Sequence, residues 1–328
     1  MASREGLDII VPMYNASAFI ETCVASLIAN NHGNIHVIVV DDGSTDDCAD
    51  LIATNYQSHE RVHLIRRENG GGASARNQGR AQSTASHIAF VDADDFVDYA
   101  LFPVLHDFAK QTGCNVVQSG YDLYDLSKPT HFEDMIEGER LKNRTPGMFQ
   151  NHEYWQADAR YFVPLRNSIW RRVYRRDFLD QHDIDFPEQV RVSHDRYFQQ
   201  LTLQYAGQMA TFPNLRYHYR QHANQIVNMT GEINLQRIDT MWMVLKRAET
   251  EGWESFRHVT YALINSANWS LAIIREDLRP IYAEKTAEVF AKIQQIFGDQ
   301  GLQDNMIDMV RYDDFRPLFE RKLAGADN

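Results

Sequence analysis

Ile88-Ala-Phe-Val-Asp-Ala-Asp-Asp95 is the stretch from which the fold can be read. Four consecutive apolar residues suit a strand buried on both faces, as strands are in a parallel sheet covered by helices. The run passes straight into three carboxylates, which are costly to desolvate unless they meet something polar. In open α/β sheets the ligand crevice lies just outside the carboxyl ends of the strands. The octet therefore reads as a strand that delivers carboxylates to a binding crevice.

The flanking sequence repeats the same grammar. Upstream, Asp8-Ile-Ile-Val-Pro12 is a short apolar strand ending in Pro12-Met-Tyr-Asn15. Phe19, Ile20, Cys23, Val24, Leu27 and Ile28 then recur at helical spacing. His36-Val-Ile-Val-Val40 is a second strand, closed by the turn Asp41-Asp-Gly-Ser-Thr-Asp46, and Val62–Ile65 is a third. Gly70-Gly-Gly72 breaks the chain before a helix expected from Ser74. A helix near Leu101–Lys110 and a strand at Val116 and Val117 continue the alternation. Strand–helix alternation of this kind predicts an α/β fold with a mostly parallel central sheet.

Residues 121–165 are polar, aromatic and irregular, and 169–220 complete the same domain. Beyond Gly231 the apolar positions are helical in spacing: Ile238, Met241, Trp242 and Leu245, then Phe256, Val259, Leu263, Ala267, Leu271 and Ile274, then Val289, Phe290, Ile293 and Phe297. The expected organisation is a domain over 1–230, divided at about 120, and a helical C-terminal region over 231–328. There is no internal repeat.

The chain has 328 residues, with 33 Lys and Arg against 45 Asp and Glu, a formal net charge of −12. That balance argues against a broad nucleic-acid surface. Cys23, Cys48 and Cys114 are isolated and odd in number, which fits small buried residues in a reducing compartment and not a disulfide framework. The opening MASREGLDIIVP lacks an apolar signal core, and no run approaches the roughly 18 apolar residues of a membrane span. The expectation is a cytoplasmic protein with at most peripheral contact at the inner face of a membrane.

Three polar clusters at strand ends, 12–15, 41–45 and 92–94, are harder to dismiss than any single Asp-rich turn. Asp92-x-Asp94 after an apolar strand suits a divalent cation and the diphosphate it would neutralise. At this point a resemblance is plain. IIVPMYN (9–15), VVDDGSTD (39–46), ENGGGASARNQG (68–79) and FVDADD (90–95) resemble the N-terminal half of family 2 glycosyltransferases of the GT-A fold, the inverting, bacterial surface-polysaccharide type. NSIWRRVYRRDFL (167–179), VSHDRYF (192–198) and RYHYRQHANQI (216–226) fit the later blocks more loosely, so the resemblance covers about 7–228.

The resemblance implies roles. Residues 1–120 would be the nucleotide-binding half and 121–230 the acceptor-side half. Pro12 and Tyr14 would line the base and ribose pocket, and Asp42 would accept from the uracil imide, favouring a UDP-sugar donor. Asn69 and Arg76 would lie beside the base and the first carboxylate. Asp92 would contact ribose or metal, Asp94 would ligate Mn²⁺ or Mg²⁺, and His218 or His222 could complete the shell. Arg220 could hold the diphosphate. Asp195 would be the general base, although His194 stands where relatives carry Glu, so His194 could touch donor sugar or acceptor. Were Asp195 not the base, Asp183 and Asp185 would come next.

The implied reaction is transfer of a hexosyl or N-acetylhexosaminyl group to a hydroxyl of a saccharide or lipid-linked saccharide. The Arg171-Arg172 and Arg175-Arg176 pairs read as a solvated basic rim. The aromatic-rich C-terminal helices could form a homodimer interface. A sugar-nucleotide nucleotidyltransferase would need a Gly-rich basic loop after the first strand, where Pro-Met-Tyr-Asn stands instead. A non-catalytic sugar-nucleotide-binding relative would have no need of intact Asp92, Asp94 and Asp195.

Overall fold

The computed structural model of the protein describes residues 4–30, 32–125, 141, 144–163, 167–222, 225, 231–253 and 257–297. The first half alternates as expected: β1 (Arg4–Met13), α1 (Ile20–Ile28), β2 (Ile35–Asp41), α2 (Cys48–Tyr56), β3 (Val62–Arg66), α3 (Gly72–Gln82) and β4 (Ala85–Phe90). These strands lie parallel in the order β3-β2-β1-β4, with Ile9 facing Val37 on one side and Ala89 on the other. The cause is in the side chains: Leu7, Ile9, Ile10 and Val11 of β1 have no solvent exposure, so both faces of the strand must be covered. Gly79 lets α3 press onto that sheet. A Cβ there would lie 2.4 Å from Cγ2 of Ile10.

Past β4 the sheet becomes mixed. The short β5 (Phe96–Val97) and helix α4 (Leu101–Thr112) precede β6 (Val116–Asp125). The hairpin β7 (Gly147–Phe149) and β8 (His152–Asp158) follows, so part of the stretch expected to be irregular is a β-hairpin. β9 (Arg172–Arg175) inserts antiparallel between β4 and β6, and β10 (Gln208–Gln221) runs parallel to β6 and antiparallel to β5 and β8. Because β9 is flanked by antiparallel neighbours on both sides, β4, β6 and β10 still point the same way as β1. The mostly parallel sheet expected from the sequence is the one observed. β6 runs across residue 120.

The basic rim is corrected by this topology. Arg172 begins the inner strand β9 and Arg171 directly precedes it, and neither has solvent exposure. Arg171 donates to the Ser119 carbonyl at 2.8 Å, and Arg172 to Gln118 and Gln199, each at 2.9 Å.

Helices α5 (Arg176–Gln181) and α6 (His194–Tyr205) close the sheet, and α7 (Gln236–Glu251), α8 (Arg257–Ile273) and α9 (Arg279–Phe297) form the C-terminal layer. Ile238, Met241, Leu245, Val259, Leu263, Ala267, Leu271, Ile274, Val289, Phe290 and Ile293 are buried as their spacing predicts. They join one contiguous core with the sheet, since α7 packs on both α6 and α9. Trp242 is only half-buried. Phe256 and residues 298–328 lie outside the described residues, as does the side chain of Phe297. Cys23 and Cys48 are buried, Cys114 is half-buried, and all three are free thiols. Among the described residues no helix is long and apolar enough to cross a membrane.

Candidate active site

The carboxyl ends of β1 and β2 are tied to each other through the loops that follow them. Asn15, in the left-handed region at φ 49°, accepts on Oδ1 from the Thr45 backbone N–H at 2.8 Å. Its own N–H donates to Ser44 Oγ at 3.0 Å, and the Asp42 N–H donates to the Met13 carbonyl at 2.8 Å. Pro12 is half-buried, while Tyr14, next to Asn15, is 53% exposed.

Asp42 lies inside the junction. Its Oδ1 accepts from the Gly70 N–H at 2.9 Å and its Oδ2 from the Gly71 N–H at 2.7 Å, with Arg67 Nε 3.3 Å from Oδ1. Asn69 donates from Nδ2 to the Asp42 carbonyl at 2.9 Å and accepts on Oδ1 from Arg191 at 3.1 Å. The glycine run is therefore a clamp on a carboxylate as well as a helix start. Gly71 has φ 92°, a backbone conformation that favours glycine over any residue with a Cβ.

Arg76, on the first turns of α3, spans the crevice. It donates from Nη2 to Asp92 Oδ1 at 2.6 Å, and its Nη1 lies 2.9 Å from Nε2 of His194. Guanidinium only donates, so His194 Nε2 must accept and the ring's proton sits on Nδ1. Burial, reinforced by the Arg76 charge, pushes the His194 pKa down to about 4, which leaves the imidazole neutral near pH 7. Burial also raises the Asp92 carboxyl above its ordinary range against the pull of Arg76, with Asp94 and Asp195 adding to the rise.

Asp94 faces β10. Its Oδ2 is 2.9 Å from Nε2 of His222, whose ring stacks on Phe19 at 4.8 Å. His218, the other histidine considered for this role, turns elsewhere: Nε2 meets Asp98 at 3.0 Å and the ring stacks on Phe96 at 4.5 Å. Arg220 is 7% exposed, with its guanidinium over the rings of Phe96 at 4.8 Å and Phe19 at 5.4 Å. Residues 216–220 alternate along β10, for Tyr217 and Tyr219 share the opposite face, both against Trp170. Among the described residues, no three His, Cys, Asp or Glu side chains gather as a ready-made metal cage.

Across the crevice, Ser193 at φ 65° turns the chain into α6. His194 and Asp195 occupy its first turn, and Asp195 Oδ1 accepts from the Arg196 N–H at 2.9 Å. Asp195 follows His194, which Arg76 joins to Asp92, so one guanidinium links the start of α6 to the carboxylate turn after β4.

The structure adds roles for three further residues. Asp95 has no exposure and holds the carboxylate turn to β10, accepting from Tyr217 Oη at 2.6 Å and from the Arg220 N–H at 2.8 Å. Burial, with Asp94 and Asp92 beside it, pushes the Asp95 carboxyl well above the usual range. Arg191 covers the glycine turn. The adjacency of Asp95 to Asp94 hinted at a role, but nothing local marked Tyr217 or Arg191.

Residues 8–176 match the sequence profile described as Glycosyl transferase family 2. The uncharacterized glycosyltransferase EpsJ of Bacillus subtilis is 29% identical over 68% of this chain and 63% of its own length. The uncharacterized glycosyltransferase YibD of Escherichia coli is 30% identical over 57% of this chain and 53% of its own length. These matches thus span less than two thirds of either relative. In structure, S. aureus TarS 1-349 in complex with UDP-GlcNAc superposes with a TM-score of 0.73 at 16% identity, covering 98% of this chain and 92% of that one. That likeness establishes the same architecture, a GT-A sheet with C-terminal helices. With the profile covering more than half its length, the chain belongs to glycosyl transferase family 2.

Proposed function

We propose that the protein is an inverting glycosyltransferase that moves a sugar from a UDP-sugar to an acceptor hydroxyl in bacterial surface-glycan assembly. The observation that supports this reading is Arg76, which joins Asp92 after β4 to His194 beside Asp195, with the glycine-clamped Asp42 and the Asp94–His222 pair at the neighbouring strand ends. Similarity to TarS, solved with UDP-GlcNAc, supports a UDP-sugar donor.

The side chains divide the work as follows. Tyr14 offers its exposed ring to the base. Asp42 has a lone pair left on each oxygen after the two glycine N–H bonds, and one of them accepts from the uracil imide. Asp94 Oδ2 and His222 Nε2, 2.9 Å apart, would supply one carboxylate and one imidazole ligand to a divalent cation, a donor set that suits Mn²⁺ or Mg²⁺. When bound, the cation neutralises charge on the departing diphosphate. Arg76 keeps Asp92 oriented and, through His194 Nε2, keeps the imidazole neutral beside the donor sugar. Asp195 takes the proton from the acceptor hydroxyl as that oxygen attacks the anomeric carbon from the face opposite the diphosphate.

The acceptor is a saccharide or lipid-linked saccharide, and the enzyme works at the cytoplasmic face of the membrane. The test is release of UDP from a panel of UDP-, GDP- and TDP-sugars in the presence of Mn²⁺. Turnover of a UDP-sugar is the expected result; turnover of none, by a chain that binds none, would remove the proposal.

A further inference from the structure

The segment that leads into α6 and ends at Asp195 is laced by side chains to the donor-side segment 69–77. Asn77 holds the Phe186 backbone with both ends of its amide, donating to the carbonyl at 2.8 Å and accepting from the N–H at 3.0 Å. It also donates to Glu188 at 2.9 Å. At the other end of the segment Arg76 meets His194 at 2.9 Å. Between these two ties Arg191 reaches the opposite way, from the lead-in of α6 to the turn before α3, and donates from Nη1 to Asn69 Oδ1 at 3.1 Å. Its guanidinium lies against Gly71, where a Cβ would sit 2.6 Å from Nη1 and 3.0 Å from Cδ.

The lead-in needs such ties. Ser193, at φ 65°, is in the left-handed region, which a residue with a Cβ keeps only where its surroundings enforce it. Val190 and Val192 are buried on either side of Arg191, whose own side chain is exposed. The Arg191 N–H donates to Gln236 Oε1 at 2.7 Å, which fixes its backbone to the start of α7. The side chain alone reaches the donor half. There Asn69 passes the contact on, donating from Nδ2 to the Asp42 carbonyl at 2.9 Å, and the Asp42 carboxylate holds the Gly70 and Gly71 N–H groups. Arg191, Asn69 and Asp42 thus form an unbroken line of hydrogen bonds that starts four residues before Asp195. An exposed hydrogen bond to a neutral acceptor contributes little to stability. Such a contact matters more for where it places the chain than for keeping it folded.

We propose that Arg191 is a positioning residue for the transfer step, through which the nucleotide-binding turn fixes the start of α6 and so the Asp195 carboxylate. This rests on the reading of Asp42 as the nucleotide contact and of Asp195 as the base. A nucleoside diphosphate bound at Asp42 orders the 69–71 turn, and Arg191 carries that order to the lead-in of α6. Proton abstraction is sensitive to placement, for a shift of about 1 Å can cost on the order of 10²-fold in rate. Arg191 acts on the reaction only through residues 192–195.

The test is amide hydrogen exchange of the full chain with and without UDP and Mn²⁺, read by mass spectrometry over residues 69–79 and 187–197. In the wild-type chain UDP should slow exchange in both stretches, a readout that depends on no variant. In Arg191→Ala, UDP should bind with little change in affinity and still slow 69–79, while the slowing at 187–197 is lost. Arg191→Lys, which keeps a donor on a long stem, should restore part of it. A merely structural side chain would instead speed exchange at 187–197 equally with and without UDP. With the UDP-sugar that the wild-type chain hydrolyses, Arg191→Ala should lower kcat roughly tenfold or more and leave KM little changed. A wild-type chain that binds UDP without slowing at 187–197, slowing that survives in Arg191→Ala, or an unchanged kcat would overturn the proposal. Failure of the wild-type chain to bind UDP in calorimetry would be the distinct result that strikes the donor-site reading, and the coupling with it.

Discussion

The Tyr217 hydroxyl donates to Asp95 Oδ2 at 2.6 Å and accepts from the Asp92 N–H at 3.2 Å, so one phenol on β10 holds the carboxylate turn after β4. Removing it in Tyr217→Phe leaves a buried carboxylate short of a donor, a loss of roughly 1–3 kcal/mol. The melting temperature should fall, and the concentration of Mn²⁺ needed for half-maximal transfer should rise, because Asp94 is on the same turn. An unchanged metal requirement would show that the turn holds its shape without Tyr217.

Metal dependence follows from Asp94 and His222. EDTA should abolish transfer and Mn²⁺ or Mg²⁺ restore it. Asp94→Asn should stay inactive at any metal concentration tested, whereas His222→Ala should recover much of its kcat at high Mn²⁺. Full activity of the wild-type chain in excess EDTA would take Asp94 out of the metal role.

Asp42 joins donor binding to loop order. Asp42→Ala removes the acceptor of the Gly70 and Gly71 N–H bonds as well as the proposed uracil contact, so it should weaken UDP binding by at least roughly 1.5–3 kcal/mol. Asp42→Asn, which keeps one acceptor oxygen, should fall between it and wild type. Calorimetry that finds equal UDP affinity in all three proteins would confine Asp42 to the clamp.

Asp195→Asn retains size and much of the hydrogen bonding but cannot take a proton at neutral pH. Transfer should fall by about 10²–10⁴-fold, the usual contribution of a general base, while UDP binding survives. His194→Ala should alter KM or donor preference more than kcat. A folded Asp195→Asn protein that transfers at near wild-type rate would move the search for a base; Asp185 is an unpromising successor, since Arg80 already holds it at 2.5 Å.

A pH effect on stability follows from His87. Burial, with His106 adjacent, pushes its pKa down to about 4, whereas the unfolded chain's value is near 6.5. Between those values the unfolded state binds the extra proton, so stability is lost as pH falls from about 6.5 to 4 and is constant above that window. The difference between wild type and His87→Gln in denaturant titrations should change across that window by up to roughly 3 kcal/mol. A difference that does not vary with pH would mean His87 is accessible to protons in the folded chain.

The sequence alone determined the α/β alternation, the strands read as ending at Pro12, Val40 and Val91, each within one residue of the ends at Met13, Asp41 and Phe90, and the helical periodicity beyond Gly231. It did so because each depends on residues within one or two turns of each other: apolar runs, a glycine break, a repeating stripe. It also marked Asp42, Asp92, Asp94 and Asp195 through local motifs. Only the tertiary structure decided that β9 enters the sheet antiparallel and buries Arg171 and Arg172. It alone brought His222 rather than His218 to Asp94 and stretched Arg76 from Asp92 to His194. Those relations join residues far apart in the chain, and no local spacing encodes them; they follow from strand order and helix packing, which are settled by burial over the whole core.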